Sequence, residues 1–165
     1  IAKIGNRYLI QVVLASESAR RAQIMEAIGL PCIVAPQKID EILRPGESAK
    51  DYVERLSREK AESALGEFCR SVIIGADTVV AVGDLVLEKP KDRAAAKEML
   101  SILSGRGHLV LTGLTVLYGS LVITDVVTTE VVFRDISKDE MELYWETGEP
   151  EDKAGGYGLQ GIGGT

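Results

Sequence analysis

The sequence is poor in the residues that build disulfide frameworks and zinc sites. Its 165 residues include two cysteines and one histidine. Cys32 and Cys69 have neither metal-ligand nor redox spacing, and His108 has no histidine or cysteine partner at ligand spacing. We therefore expect a reducing, cytoplasmic environment and a structural role for His108.

Long apolar runs and an excess of basic residues are also absent. No run approaches the roughly 20 apolar residues needed to span a bilayer, and the N-terminal stretch has no signal-peptide pattern. Asp and Glu outnumber Lys and Arg by 25 to 19, which leaves a net charge of −6. Neutralising a nucleic-acid backbone requires clustered cations, so we expect neither a membrane nor a nucleic acid polymer as a partner. Nucleophile-elbow, Walker A and dinucleotide-binding motifs are missing as well.

What the sequence contains is the pattern of one α/β domain. Hydrophobic residues make up 45% of the chain, which is enough for a core at this length. Strand-like and helix-like segments alternate irregularly, which predicts a mixed, twisted sheet flanked by helices rather than a simple Rossmann alternation. The predicted strands are Leu9–Leu14, a pair joined by a Gly83–Asp84 turn, and consecutive antiparallel strands between Leu109 and Phe133. The predicted helices are Ala19–Ile28, one capped by Ser48 with Asp51, one capped near Asp92 and ended at Gly105, and one between Ser137 and Gly148, followed by a glycine-rich loop.

The first predicted helix carries positive charge at its positive end. Ser18 is placed to cap this helix, so Arg20 and Arg21 fall in its first turn. The macrodipole already makes this end positive, and acidic residues are preferred there by roughly 0.3–1 kcal/mol each. Two guanidinium groups at a helix N-terminus therefore indicate an anionic ligand. The predicted apolar stripe of the helix consists of Ile24, Met25 and Ile28.

Two further charged residues interrupt apolar patterns. Asp77 lies in VIIGADTVVAV, a run apolar enough for a strand buried on both faces. A buried carboxylate requires a cation, a metal ion or several donors, although an Asp at a strand end can also cap a turn. Lys60 lies in the apolar arc of the second helix, one turn beyond Leu56. It is interpreted either as a snorkelling lysine at a helix end or as a cation that points into a cleft.

The remaining candidate residues lie in irregular segments. Lys89 precedes a proline in LEKP, where regular strand pairing ends, and alone it is typical of a surface. Asp40 and Glu41 form an acidic pair of the kind that is usually solvated. Seven glycines occupy the 18 residues from 148 to 165, and they can present bare backbone N–H groups to a ligand. Gln160 has the donor and acceptor atoms that recognise a base edge.

Five motifs in chain order resemble the Maf family: LASESARR, GADTVV, LEKP, LSGRGHLVLTG and GEPEDKAGGYGLQG. The resemblance runs from about Val12 to Gly164. It implies an inosine-triphosphatase-like α/β fold with a central cleft. It also implies a homodimer, and an enzyme that hydrolyses a nucleoside triphosphate to the monophosphate and pyrophosphate with Mg²⁺ or Mn²⁺ as cofactor.

The resemblance assigns roles to the residues that match its motifs. Asp77 stands where the family has its catalytic carboxylate, and Glu41 corresponds to the acidic residue of its early loop. We expect Asp77, helped by Glu41, to bind the metal, and Asp77 to act either as the general base or mainly as a metal ligand. The implied phosphate-binding residues are Ser16, Arg20, Arg21, Lys60 and Lys89. The implied specificity residues are Arg20, Thr78 and Gln160, which match the subgroup that acts on dTTP, UTP and modified pyrimidine triphosphates in a house-cleaning role.

Two alternatives remain open beside that assignment. The other Maf subgroup prefers 7-methyl-GTP and carries SPWR, GSDQ and a Ser-Glu in place of the glutamine. A non-catalytic regulator of cell division would bind the nucleotide without releasing pyrophosphate.

Two features depart from the family pattern. Ala19 replaces a proline, the residue favoured at the first helical position. Family members continue past Gly164 for about a strand, a loop and a helix, so the single domain expected over residues 1–165 is predicted to lack that segment.

Overall fold

The computed structural model describes residues 3–4, 7–8 and 10–164. The strands are β1 Lys3–Ile4, β2 Arg7–Tyr8, β3 Val12–Ala15, β4 Ile33–Val34, β5 Val72–Val82, β6 Leu85–Leu87, β7 Gly107–Tyr118 and β8 Leu121–Val132. The α-helices are α1 Ala19–Ala27, α2 Ala49–Ser63, α3 Leu65–Phe68, α4 Arg93–Leu103 and α5 Lys138–Glu146. Three short 3-10 helices follow at Glu149–Asp152, Ala154–Gly156 and Ile162–Gly164. Among the residues described, no helix combines the length and apolarity needed to cross a bilayer.

Six strands form a mixed sheet, which confirms the predicted α/β class. The strand order is β4-β3-β5-β7-β8, with β6 paired to β5. β3 runs parallel to both β4 and β5, whereas β6 is antiparallel to β5. β7 and β8 are neighbours joined by two residues, a connection that only antiparallel strands can use. β1 and β2 form a separate antiparallel pair.

The chain divides into two compact units. The first consists of Ile1–Asp77 and Thr112–Val127, and the second of Thr78–Leu111 and Thr128–Thr165. In the first unit, alternate residues of the sheet bury opposite faces. One face packs against α2 and the other against α1. The cluster beside α2 contains Val13, Ala15, Ala61, Ala64, Ile73 and Leu117, and the cluster beside α1 contains Leu14, Met25 and Ile74.

The second unit is built around α4 and α5. Its core contains Val80, Leu87, Leu100, Leu103, Met141 and Tyr157. His108 is buried in this unit, and its Nε2 lies 2.7 Å from the hydroxyl of Tyr157. The ring of Phe133 contacts both residues edge-on.

The predicted helix caps are confirmed. The side chains of Ser18, Ser48, Asp92 and Ser137 each accept a backbone N–H in the first turn of their helix. Ser137 and Glu140 also form a reciprocal capping box. Caps depend on residues within one turn of each other, which explains why the local sequence predicts them.

The apolar stripe predicted for α1 is wrong at two of its three positions. Met25 is buried, whereas Ile24 and Ile28 are 57% and 65% exposed. The inward side of the helix is the side that carries Arg21, one turn before Met25. The inward side of this short helix therefore carries both a polar contact of Arg21 and the apolar contact of Met25. The predicted first strand, Leu9–Leu14, is observed as Val12–Ala15, and Leu9 lies outside the described residues.

The C-terminal tail is more regular than the predicted loop. The carboxylate of Glu149, in the first of its three 3-10 helices, accepts hydrogen bonds from the backbone N–H of Ile162 in the last of them at 2.9 Å and from the hydroxyl of Tyr144 at 2.8 Å. The N–H of Gly163 also donates to Glu149. The N–H groups of Ile162 and Gly163 therefore bind a side chain of the same unit.

Candidate active site

Ser16 and Arg21 lie together where β3 gives way to α1. Parallel pairing aligns Ala15 of β3 with Gly75 of β5, so the residues that follow them share one region of the first unit. The guanidinium of Arg21 donates from Nη1 to Ser16 Oγ at 3.0 Å and to the carbonyl of Ala76 at 2.8 Å. Ser16 is buried and Arg21 is half-buried. Arg21 therefore ties the first turn of α1 to the strand that carries Asp77.

Arg20 is exposed and adds its charge beside Arg21. The first turn of α1 contains no acidic residue, as the sequence indicated. Burial lowers the pKa of Arg21, the carboxylate of Asp77 opposes that effect, and the neighbouring charge of Arg20 adds to it. Two guanidinium groups and the positive end of a helix form a concentration of positive charge suited to phosphate oxygens.

Asp77 and Glu41 share the ammonium group of Lys60. Lys60 Nζ lies 2.6 Å from Asp77 Oδ1 and 2.8 Å from Glu41 Oε1. Lys60 and Asp77 are buried, whereas the Glu41 side chain is 47% exposed. Burial raises the pKa of Asp77, while the ammonium of Lys60 opposes that rise. The buried ammonium between two carboxylates differs from a snorkelling lysine, whose charged head lies in solvent.

Gly75 is the reason that Lys60 reaches Asp77. A Cβ at position 75 would lie 2.1 Å from the carbonyl oxygen of Ser57 and 2.8 Å from the backbone N of Ala61. Only glycine allows the backbone of α2 to approach β5 this closely. Lys60 lies between Ser57 and Ala61 on α2, so the same close approach sets its distance to the strand.

A divalent metal fits the two carboxylates only with help from other ligands. Within the described part of the chain, no group of three His, Cys, Asp or Glu side chains is arranged to hold a metal ion. Asp77 and Glu41 each use one oxygen for Lys60 and keep a second oxygen beyond that ion pair. Mg²⁺ is typically held by one or two carboxylates together with substrate phosphates and water. The donor set therefore suits Mg²⁺ or Mn²⁺ that arrives with a polyphosphate.

Three other predicted site residues belong to the second unit. Thr78 follows Asp77 on β5 and is half-buried. Lys89 is exposed in the irregular segment after β6, and Gln160 is exposed in the turn before the last 3-10 helix. Asp40, the neighbour of Glu41, is exposed. The five residues described above, by contrast, are joined within the first unit: Ser16, Arg21, Glu41, Lys60 and Asp77.

Sequence reasoning did not single out the side chains that hold Glu41's own loop. Tyr52 donates its hydroxyl to the carbonyl of Glu41 at 3.1 Å, and Arg55 donates to the carbonyl of Ile42 at 3.0 Å. The periodicity of α2 places Tyr52 on its apolar arc, where it is a core residue, and Arg55 lies beside that arc. The signal that could have indicated this contact is an arginine next to the buried face of a helix, eight residues after Glu47.

Comparison with known proteins agrees with this architecture. A curated dTTP/UTP pyrophosphatase of Photobacterium profundum is 41% identical over 162 residues, covering 94% of this chain and 83% of that protein. A dTTP/UTP pyrophosphatase of Vibrio cholerae is 46% identical over 155 residues, covering 93% and 83%. The Staphylococcus aureus Ham1 protein shares the fold at a TM-score of 0.51 and 15% identity, covering 73% of this chain and 69% of that one. Residues 11–165 match the family described as Maf-like protein, and the chain belongs to the Maf family.

Proposed function

We propose that this protein hydrolyses dTTP, UTP and modified pyrimidine nucleoside triphosphates to the monophosphate and pyrophosphate. Relatives at 41% and 46% identity are named for the dTTP and UTP reaction. The observation that carries the proposal is the buried Asp77 carboxylate, bonded to Lys60 at 2.6 Å in the same unit as Arg21 and Ser16. This reaction requires two parts: a carboxylate that can accept a proton from water, and a set of cations that bind phosphate.

The triphosphate tail is proposed to bind at the N-terminus of α1. Arg20 and Arg21 offer bidentate guanidinium groups, which match phosphate oxygens in geometry and charge. The hydroxyl of Ser16 lies 3.0 Å from Arg21 and adds a hydrogen-bond donor. Lys89 is assigned to the phosphates, and Thr78 and Gln160 to the base, on the matched motifs alone.

Asp77 is proposed to orient the attacking water and to accept its proton. The water oxygen forms a bond to the α-phosphorus, the bond from that phosphorus to the bridging oxygen breaks, and pyrophosphate leaves. Burial raises the pKa of Asp77, which brings a carboxylate closer to the range that suits a general base. Lys60 holds Asp77 and Glu41 in place.

Asp77 and Glu41 are also the residues that would hold Mg²⁺ or Mn²⁺. When bound, the metal would neutralise charge on the phosphates. We place the reaction in the cytoplasm, since Cys32 and Cys69 are both free thiols.

The direct test measures pyrophosphate release from dTTP, UTP, CTP and 7-methyl-GTP, with and without Mg²⁺ or Mn²⁺. We expect turnover of dTTP and UTP, and a loss of roughly 100-fold or more in kcat for Asp77→Asn with an unchanged fold, as removal of a catalytic acid–base group typically causes. Asp40→Asn is the matched control, because Asp40 is an exposed acid outside the site.

Three results would contradict the proposal. Preference for 7-methyl-GTP would assign the chain to the other substrate class. Nucleotide binding without pyrophosphate release would indicate a regulator. Full activity of Asp77→Asn would remove Asp77 from the mechanism.

A further inference from the structure

Glu41 lies on a segment that has no regular secondary structure of its own. Residues 35–48 connect β4 to α2 without a helix or strand. The segment turns at Pro45 and Gly46, where Gly46 has a φ of 77° and the N–H of Glu47 donates to the carbonyl of Arg44 at 3.0 Å. A proline followed by a glycine with positive φ is typical of a type II turn. Side chains outside the segment must therefore fix the position of Glu41.

Arg55 of α2 makes three hydrogen bonds to this segment. Its Nε and Nη2 donate to the two carboxylate oxygens of Glu47 at 2.6 and 2.8 Å, and Nη2 also donates to the carbonyl of Ile42 at 3.0 Å. The Arg55 and Glu47 side chains are only 14% and 9% exposed. The hydrogen bond from Arg55 lowers the pKa of Glu47 to about 2. This is a shielded, bidentate pair, unlike a solvated surface contact.

Tyr52 holds the adjacent carbonyl from the same helix. Its ring is almost fully buried, and its hydroxyl donates to the carbonyl of Glu41 at 3.1 Å. The guanidinium of Arg55 lies over the Tyr52 ring, 5.4 Å from the centroid. Two stacked side chains of α2 thus bind the consecutive carbonyls of Glu41 and Ile42.

The same helix carries Lys60, which binds the Glu41 carboxylate at 2.8 Å. The backbone of Glu41 is therefore fixed by Tyr52 and its side chain by Lys60, both from α2. Without the backbone contacts, the irregular segment that carries Glu41 would have to become ordered each time the half-exposed carboxylate bound a ligand. That ordering has a cost in conformational entropy.

We propose that Arg55 and Tyr52 are positioning residues that hold Glu41 against Lys60 and Asp77 for metal and substrate binding. This inference rests on the proposed function, because it gives a role to a site residue of that reaction. Neither residue is assigned a contact with substrate or metal. Tyr52 acts through the carbonyl of Glu41, and Arg55 acts through the adjacent carbonyl of Ile42 and the carboxylate of Glu47.

The test compares Arg55→Lys and Tyr52→Phe with the wild-type protein. Lysine keeps the charge but cannot make the three guanidinium bonds, and phenylalanine keeps the buried ring but lacks the hydroxyl. We expect the concentration of Mn²⁺ that gives half-maximal pyrophosphate release to rise by roughly tenfold or more for Arg55→Lys, as loss of outer-shell support typically causes. A smaller rise is expected for Tyr52→Phe.

Hydrogen exchange supplies a readout that does not depend on turnover. Amides of residues 38–47 should exchange roughly tenfold or more faster in Arg55→Lys, while amides of β3 and β5 keep their wild-type rates. The control is Lys38→Gln, which removes an exposed lysine of the same segment. This control should alter neither measurement.

A double substitution decides whether Arg55 acts through Glu41. In a Glu41→Gln background, Arg55→Lys should cause no further change in the Mn²⁺ requirement. A full additional effect there, or an unchanged Mn²⁺ requirement in Arg55→Lys itself, overturns the inference while leaving the proposed function in place. If the wild-type protein releases no pyrophosphate, the proposed function fails first, and this inference fails with it.

Discussion

At the scale of single residues, Lys60 explains how Asp77 can be buried as an anion. An unpaired carboxylate in an apolar strand is costly, and the ammonium at 2.6 Å supplies the missing counter-charge. Burial and Lys60 act on the pKa of Asp77 in opposite directions. The acid limb of the pH–rate profile should therefore report on this pair.

Lys60→Gln should move that limb to higher pH. Removing the ammonium takes away the interaction that lowers the pKa of Asp77, so burial raises the pKa further. Asp77 must be deprotonated to accept a proton, and activity is lost as the pH falls through its pKa in the folded protein. The measurement is kcat/KM from about pH 5 to about pH 9. Lys50→Gln, an exposed lysine of the same helix, should keep the wild-type profile, and an identical shift in both variants would contradict the assignment.

His108 should make stability depend on pH. Burial lowers its pKa from the ordinary 6.5, and the backbone of Arg106 opposes that shift only partly. As the pH falls through about 6.5 the unfolded chain binds a proton that the folded chain does not, so the free energy of unfolding decreases, by at most about 1.4 kcal/mol per pH unit.

His108→Gln should remove this component. Its free energy of unfolding should change less than that of the wild type between about pH 7.5 and about pH 5.5 in urea titrations, because glutamine does not titrate. Other titrating groups are common to both proteins and cancel in the comparison. Equal slopes would show that His108 is not kept neutral by burial.

At the scale of elements, α2 organises the candidate site. It contributes Lys60 to the two carboxylates, and Tyr52 and Arg55 to the segment that carries Glu41. The helix can do so because it lies unusually close to the sheet at Gly75 and also at Gly113, where a Cβ would be 2.2 Å from the carbonyl oxygen of Val53. The close contact between α2 and the sheet thus determines both how the helix packs and where its site residues lie.

Gly75→Ala should weaken the fold and the site together. The added methyl group would overlap the α2 backbone, and overpacking of this kind costs about 1–3 kcal/mol. Urea unfolding should show this loss, and the remaining folded protein should have reduced kcat because Lys60 is displaced from Asp77.

Gly66→Ala is the matched control for this substitution. A Cβ at position 66 meets nothing within 4 Å, so stability should be unchanged or slightly higher. Equal stability of the two variants would show that α2 can move away from β5 without penalty.

At the scale of the whole molecule, the protein is acidic but concentrates cations at one place. A net charge of −6 disfavours general attraction to polyanions. In the first unit, Lys60 binds Asp77 and Glu41, and Arg21 interacts electrostatically with both of these carboxylates and with its neighbour Arg20. Phosphate binding should therefore depend on these few basic side chains and not on the electrostatic potential of the whole molecule.

A non-hydrolysable α,β-imido analogue of dTTP should raise the thermal midpoint of unfolding. At 100 times its Kd the analogue would add about 2.7 kcal/mol to the free energy of unfolding, and dTMP should add much less at equal concentration because it lacks the tail. Arg21→Ala should abolish most of the shift, whereas Arg58→Ala, an exposed arginine on α2, should retain it. Equal stabilisation of Arg21→Ala would place the triphosphate elsewhere.

The sequence alone determined the features that depend on near neighbours. These include the α/β class, the four helix caps, the turn at Gly83 with its φ of 58°, and the observation that Asp77 and the two arginines stand in unfavourable surroundings. Each follows from propensity or charge within a few residues. The exposure of Ile24 and Ile28 shows where this reasoning ends, because a nine-residue helix has more than one face that could be buried.

Only the tertiary structure decided which charges meet. Arg21 binds a carbonyl 55 residues further along the chain, and Lys60 binds Asp77 17 residues away. Such pairs depend on strand register and on how closely a helix approaches a sheet, and neither is encoded in local periodicity. Asp77 required a partner by its burial energy alone, but the close approach of α2 at Gly75 selected Lys60 as that partner.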